Sequence, residues 1–177
     1  FSQCVQLIAE LMALVAVVLG AFVAYGPCQD GRTWNLRRDS AKNIDVDVPS
    51  VGPTHFRLRQ VVPMHMYDSW KRSPEGWLKK ASPVLFLPGH MGKWTQVINI
   101  ASYLNAGSAP GRSKHAAFFA ADFHASASAL HVSIIKQQAA FAAAAADRIV
   151  QLYRDAGRPS ISLTIVAHSM GGVVAQE

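Results

Sequence analysis

The sequence predicts an α/β fold, a parallel sheet with flanking helices, and three observations predict it. Apolar runs at residues 83–87, 115–123 and 161–166 read as buried strands. Segments of helical period, at residues 97–104 and 130–156, lie between them. The last run passes straight into Ala167-His168-Ser169-Met170-Gly171-Gly172, a small-x-Ser-x-small turn.

Bulk properties narrow the class. The 177 residues suffice for one domain with a core, and half of them are hydrophobic. The formal charge is +6, but the basic residues are scattered and no basic stripe carries interleaved aromatics. No nucleic-acid partner is therefore expected, whereas attraction to anionic lipid headgroups fits. The two cysteines, Cys4 and Cys28, flank an apolar block and have no zinc-ligand spacing. Divided by a bilayer, they could not pair. The chain opens on Phe1 and reaches only Glu177 after the serine turn, so it reads as a C-terminally truncated piece of a longer protein.

The elements follow in order. Residues 5–25 are apolar except for Gln6, Glu10 and the small Gly20. A bilayer span needs about 20 helical residues, and Glu10 lies near one end, where its cost is lower. Residues 1–27 are read as a transmembrane helix or signal anchor with its flanks. A cleaved signal peptide, suggested by the small residues at 21–24, and a buried helix are the alternatives. Arg32, Arg37, Arg38 and Lys42 follow the block, and the charge rule by itself would place them in the cytosol.

Residues 28–55, polar with Gly, Pro and Ser, are expected to be a linker, and 56–177 a partial α/β domain. Within it, residues 56–67 alternate as a strand, with Pro63 marking an edge. Residues 68–82 hold Trp70, Pro74, Gly76 and Trp77 and read as a turn-rich excursion. Strand 83–87 ends in Pro88-Gly89-His90-Met91-Gly92. In the next helix Val97, Ile100, Ala101 and Leu104 share a face, and Asn105-Ala106-Gly107 ends it. After strand 115–123, helix 130–156 carries a stripe of Ile134, Phe141, Ala145, Ile149 and Leu152. Its alanine run at 142–146 suits close packing on a sheet.

A serine on a sharp strand-to-helix turn is the form of a nucleophile elbow, and the whole reads as the N-terminal part of an α/β-hydrolase. Ser169 is the expected nucleophile, since a hydroxyl at such a tip can meet a base that takes its proton. Ala167 and Gly171 supply the small residues the turn requires, and Gly172 is expected to let the following helix pack closely. The Met170 N–H is the expected first oxyanion donor. The second is expected from the His90 N–H on the Pro-Gly loop, with Met91 as the alternative. The competing role for Ser169 is simple capping of the next helix. In this fold the acid and the histidine follow the serine. All seven histidines precede it, so both groups are expected beyond Glu177, and residues 1–177 alone are expected to be inactive. Asp122 lines the site mouth or caps a turn. His124 and His131 lack a third ligand at metal spacing, and neither a metal nor a cofactor is expected.

Three blocks together resemble the GPI inositol-deacylases, membrane-bound lipases of the endoplasmic reticulum. They are residues 83–96, with the Pro-Gly loop and Gln96; Phe118-Phe119-Ala120-Ala121-Asp122-Phe123 followed by Ser128-Ala129-Leu130; and Leu152-Tyr153 with His168-Ser169-Met170-Gly171-Gly172-Val173-Val174-Ala175. The chain departs from that pattern at His90, Trp94, Ala125, Ser126 and Ala167. The resemblance implies hydrolysis of the acyl ester on the inositol of a GPI anchor, free or on protein, through an acyl-enzyme on Ser169. It implies a lipid substrate, an endoplasmic reticulum membrane location with the catalytic domain lumenal, and a part in maturation and export of GPI-anchored proteins. A different membrane-associated serine lipase or esterase, and a non-catalytic membrane-tethered α/β interaction module, are the alternative readings.

Overall fold

Five strands and their helices are described by the computed structural model, which covers residues 41–49, 55–106, 115–128 and 131–177. These residues fall in one compact unit, Leu36–Glu177. The apolar block at 5–25 lies outside the described residues, and no described helix is long and apolar enough to cross a membrane.

The elements run β1 (Ala41–Val46), β2 (Arg57–Pro63), α1 (Met64–Arg72), α2 (Pro74–Lys80), β3 (Ala81–Leu87), a 3-10 turn (Trp94–Gln96), α3 (Val97–Ala106), β4 (His115–Asp122), α4 (Val132–Asp155), β5 (Thr164–Ala167) and α5 (Met170–Val174). In the sheet their order is β1-β2-β4-β3-β5. β3 runs parallel to β4 (Leu85 opposite Phe119) and to β5 (Leu87 opposite Ala167). β2 runs antiparallel to both β4 and β1. The sheet is therefore mixed, where a parallel one was expected.

Alternation along the strands divides the core in two. One face carries Leu58, Val62, Leu85, Leu87, Phe119 and Ala121, covered by Met66 of α1, Leu78 of α2, and Phe141, Ala145 and Ile149 of α4. The opposite face carries Val61, Phe86, Phe118 and Ala120, covered by Val97, Ile98 and Ala101 of α3. β3 and β4 are buried on both faces, which is why their sequences are unbroken apolar runs. Each fully buried Phe contributes roughly 1.5–3 kcal/mol. Ala142 and Ala145 pack into the core under α4, as the alanine run suggested.

Several expectations need correction. The linker segment holds β1, so the sheet begins before residue 56. Pro63 does not mark an edge: β2 is flanked on both sides. The proline closes the strand opposite Ala41 and, with φ −55°, stands as the N-cap residue of α1, where its missing N–H costs little. Residues 64–67 turn into α1 rather than extending β2. The excursion at 68–82 is mostly helical, because Ser73 caps α2 by accepting the Gly76 N–H at 3.2 Å and Pro74 starts its first turn. α3 is rotated from the expected face: Ile100 and Leu104 are exposed, while Ile98 and Asn105 are buried. The Asn105 side chain donates to the Ala101 and Ala116 carbonyls and accepts the Ala116 N–H, tying α3 to β4. On α4 the buried stripe includes Gln138 and Tyr153.

Candidate active site

Ser169 sits between β5 and α5 at φ 53° and ψ −123°. A residue with a Cβ held at positive φ costs of order 1–3 kcal/mol, so its surroundings must impose the turn. They do so through three backbone bonds. The His168 N–H donates to the Leu87 carbonyl at 3.0 Å, the Gly171 N–H to the His168 carbonyl at 2.9 Å, and the Gly172 N–H to the Ser169 carbonyl at 2.9 Å. The first bond sets the turn against the end of β3.

The serine side chain is exposed and makes no capping bond to α5. A capping serine normally has extended backbone and accepts an N–H from the first helical turn. Neither condition holds here, so the capping role is not what places Ser169 at this corner.

Glycine is demanded at Gly171 and at Gly89. A Cβ on Gly171 would collide with the Leu87 carbonyl and approach the Pro88 oxygen at 2.9 Å, so only glycine lets α5 begin against the end of β3. A Cβ on Gly89 would stand 2.8 Å from the Ser169 Cβ, 2.8 Å from the His168 oxygen and 3.3 Å from the Met170 nitrogen. The Pro-Gly loop thus abuts the elbow. Gly172 differs: a Cβ there meets nothing within 4 Å, so the close packing expected of it falls to Gly171. Ala167 is exposed and paired with Leu87, and the turn forms with its methyl group in place.

Of the expected oxyanion donors, Met170 begins α5 beside Gly89, and among the described residues its N–H has no backbone acceptor. His90 follows Gly89 and is half-buried. The alternative donor, Met91, is occupied: its N–H donates to the Ser126 carbonyl at 3.1 Å. The loop closes on itself through the Gly92 N–H and the Gly89 carbonyl, at 2.9 Å.

Asp122, at the end of β4, is buried and fully engaged. One carboxylate oxygen accepts from Arg59 Nε at 2.7 Å and the other from the His124 N–H at 3.1 Å. Arg59 also donates to Asp45 at 2.8 Å and lies over the Trp94 ring, 5.3 Å from its centre. The group joins β1, β2 and β4 at the sheet end where the Pro-Gly loop and the elbow emerge. Arg59 was not foreseen; a lone Arg in a strand carries no signal of a partner 63 positions away. Among the described residues no three His, Cys, Asp or Glu side chains gather as a metal would require.

A family model described as the PGAP1-like alpha/beta domain matches residues 79–177, from the end of α2 through the elbow. The chain belongs to the PGAP1-like alpha/beta domain family. The chain is 37% identical over 94 residues to a putative GPI inositol-deacylase C of Yarrowia lipolytica, covering 53% of this chain and 11% of that protein. It is 33% identical over 140 residues to the GPI inositol-deacylase of Phaeosphaeria nodorum, covering 69% of this chain and 13% of that protein. It is 36% identical over 95 residues to the GPI inositol-deacylase of Rattus norvegicus, covering 53% of this chain and 10% of that protein. The resemblance read from the three motif blocks is therefore a true kinship. The part matched to the PGAP1-like domain contains both the Pro-Gly loop and the serine turn, and the chain spans about a tenth of the length of these relatives.

Proposed function

We propose that the protein is a membrane-bound GPI inositol-deacylase in which Ser169 is the nucleophile. The observation that carries the reading is the exposed, uncapped serine at φ 53° with Gly89 pressed against it, in a chain whose relatives bear that name.

Ser169 Oγ attacks the carbonyl carbon of the acyl ester on inositol, and its proton passes to a histidine supplied by sequence after Glu177. The carbonyl oxygen becomes an oxyanion held by the Met170 and His90 N–H groups, each worth about 3 kcal/mol of transition-state stabilisation. The histidine returns the proton to the inositol oxygen as the ester bond breaks, leaving an acyl-enzyme. Water, deprotonated by the same histidine, then releases the fatty acid and restores Ser169. A carboxylate that orients the histidine completes the triad. Residues 5–25 anchor the domain in the endoplasmic reticulum membrane on its lumenal side, beside a substrate that never leaves the bilayer. The product is the deacylated anchor of proteins bound for export.

The test is made on the full-length protein with acylated GPI in detergent micelles, reading fatty-acid release. Ser169→Ala is expected to abolish release and labelling by a fluorophosphonate while leaving the fold intact. Unchanged release from that variant would end the proposal. Turnover of acylglycerols or thioesters with acylated GPI untouched would transfer the site to a different lipase.

A further inference from the structure

The strained turn after β4 and the Pro-Gly loop after β3 are joined by a backbone hydrogen bond, and one carboxylate stands behind it. His124 and Ala125 have φ of 51° and 54°, left-handed values that residues with a Cβ adopt only when held. Asp122 holds them by accepting the His124 N–H, and Arg59 fixes the carboxylate from the other side. The Ser126 hydroxyl donates to the Phe123 carbonyl and closes the same turn. So shaped, the turn presents the Ser126 carbonyl to the Met91 N–H. Met91 is itself at φ 50°, two residues after the Gly89 that touches the serine turn.

We infer that Asp122 is a positioning residue for the oxyanion loop: through the 123–126 turn and the Ser126–Met91 hydrogen bond it sets where the Gly89–His90 segment lies against Ser169. Asp122 touches neither the nucleophile nor the ester. It acts on geometry alone, and displacement of such a donor by a fraction of an ångström is felt in the chemical step more than in substrate binding. The inference rests on the proposed role of Ser169.

The experiment uses the full-length protein and acylated GPI. Asp122→Asn keeps the shape of the side chain but cannot accept from both Arg59 and His124. It is expected to lower kcat about 10- to 100-fold with KM within about twofold, and to slow fluorophosphonate labelling of Ser169 alike. Adding Ala125→Gly to that variant supplies a residue at ease at positive φ, and is expected to recover much of kcat. The same glycine in the unaltered protein should change kcat little. An Asp122→Asn enzyme with wild-type kcat, or a loss the glycine fails to recover, would overturn the inference. Should Asp122→Asn fail to fold, Ser126→Ala, which removes only the hydroxyl closing the turn, carries the test: a fall in kcat of about two- to fivefold that Ala125→Gly reverses supports the inference, and unchanged kcat overturns it. Activity surviving in Ser169→Ala would instead strike the proposed function and is read separately.

Discussion

Gly89 lies against Ser169 so closely that a single added methyl group would stand 2.8 Å from the serine Cβ. The clash is with the elbow itself, at Ser169 Cβ and the His168 carbonyl, so either the Pro-Gly loop or the serine must move. Gly89→Ala is expected to lower kcat by about 100-fold, the loss typical of one oxyanion donor, in a protein whose circular dichroism is unchanged. Fatty-acid release and fluorophosphonate labelling of the full-length protein are the readouts. Wild-type activity in this variant would show that the loop does not serve the site.

The backbone at Ser169 yields a stability prediction separate from activity. With φ at 53°, glycine relieves strain there and alanine does not. Ser169→Gly and Ser169→Ala should both lack turnover, yet the glycine variant should be the more stable by about 1 kcal/mol. Denaturant unfolding of the two proteins makes the comparison.

Two adjacent glycines should respond in opposite ways. Gly171→Ala drives a methyl group into the end of β3, against backbone atoms that cannot rotate aside, and is expected to cost about 3 kcal/mol. Gly172→Ala meets open space within α5 and is expected to be neutral or to stabilise by up to about 1 kcal/mol. Unfolding midpoints measured side by side would show the difference.

Tyr153 is expected to make stability fall in alkali. Its ring is fully buried and its hydroxyl has no hydrogen-bond partner among the described residues, so burial holds the phenol well above its usual range, with the Arg158 guanidinium opposing. The raised folded value sets the sign. Below the unfolded phenol value of about 10 the neutral form contributes fully; above it the unfolded chain ionises first and stability is lost as pH rises. Tyr153→Phe should remove this alkaline loss. At neutral pH it should leave stability unchanged or raise it by about 1 kcal/mol, since an unpaired buried hydroxyl is removed. Denaturation of both proteins across pH 8–11 is the measurement.

What could be read from sequence depended on how far apart the interacting residues lie. β3, β4 and α4 were legible because an unbroken apolar run or a long helical period is local information. The elbow was legible because its small residues answer a steric demand within five positions. α2 was legible in principle, with Ser73, Pro74 and Glu75 forming a helix start, yet its seven residues also read as turns. The face of α3 was ambiguous, since Val97 and Ala101 belong equally to a stripe with Ile100 and Leu104 and to one with Ile98 and Asn105. Only the sheet beneath it chooses. The demand for glycine at 171 rather than 172, the occupation of the Met91 N–H and the Arg59–Asp122 pair arise between strands and could not be counted along the chain.

The sequence by itself determined the α/β class, the serine at the strand-to-helix corner and the kinship with GPI inositol-deacylases, because these rest on residue type and short spacing. Tertiary structure decided that the sheet is mixed, that β1 joins it, and that the Pro-Gly loop comes to rest on Ser169. Those outcomes depend on which strands pair and in what register, and pairing across 80 residues is settled by burying two sheet faces at once, a condition no local segment contains.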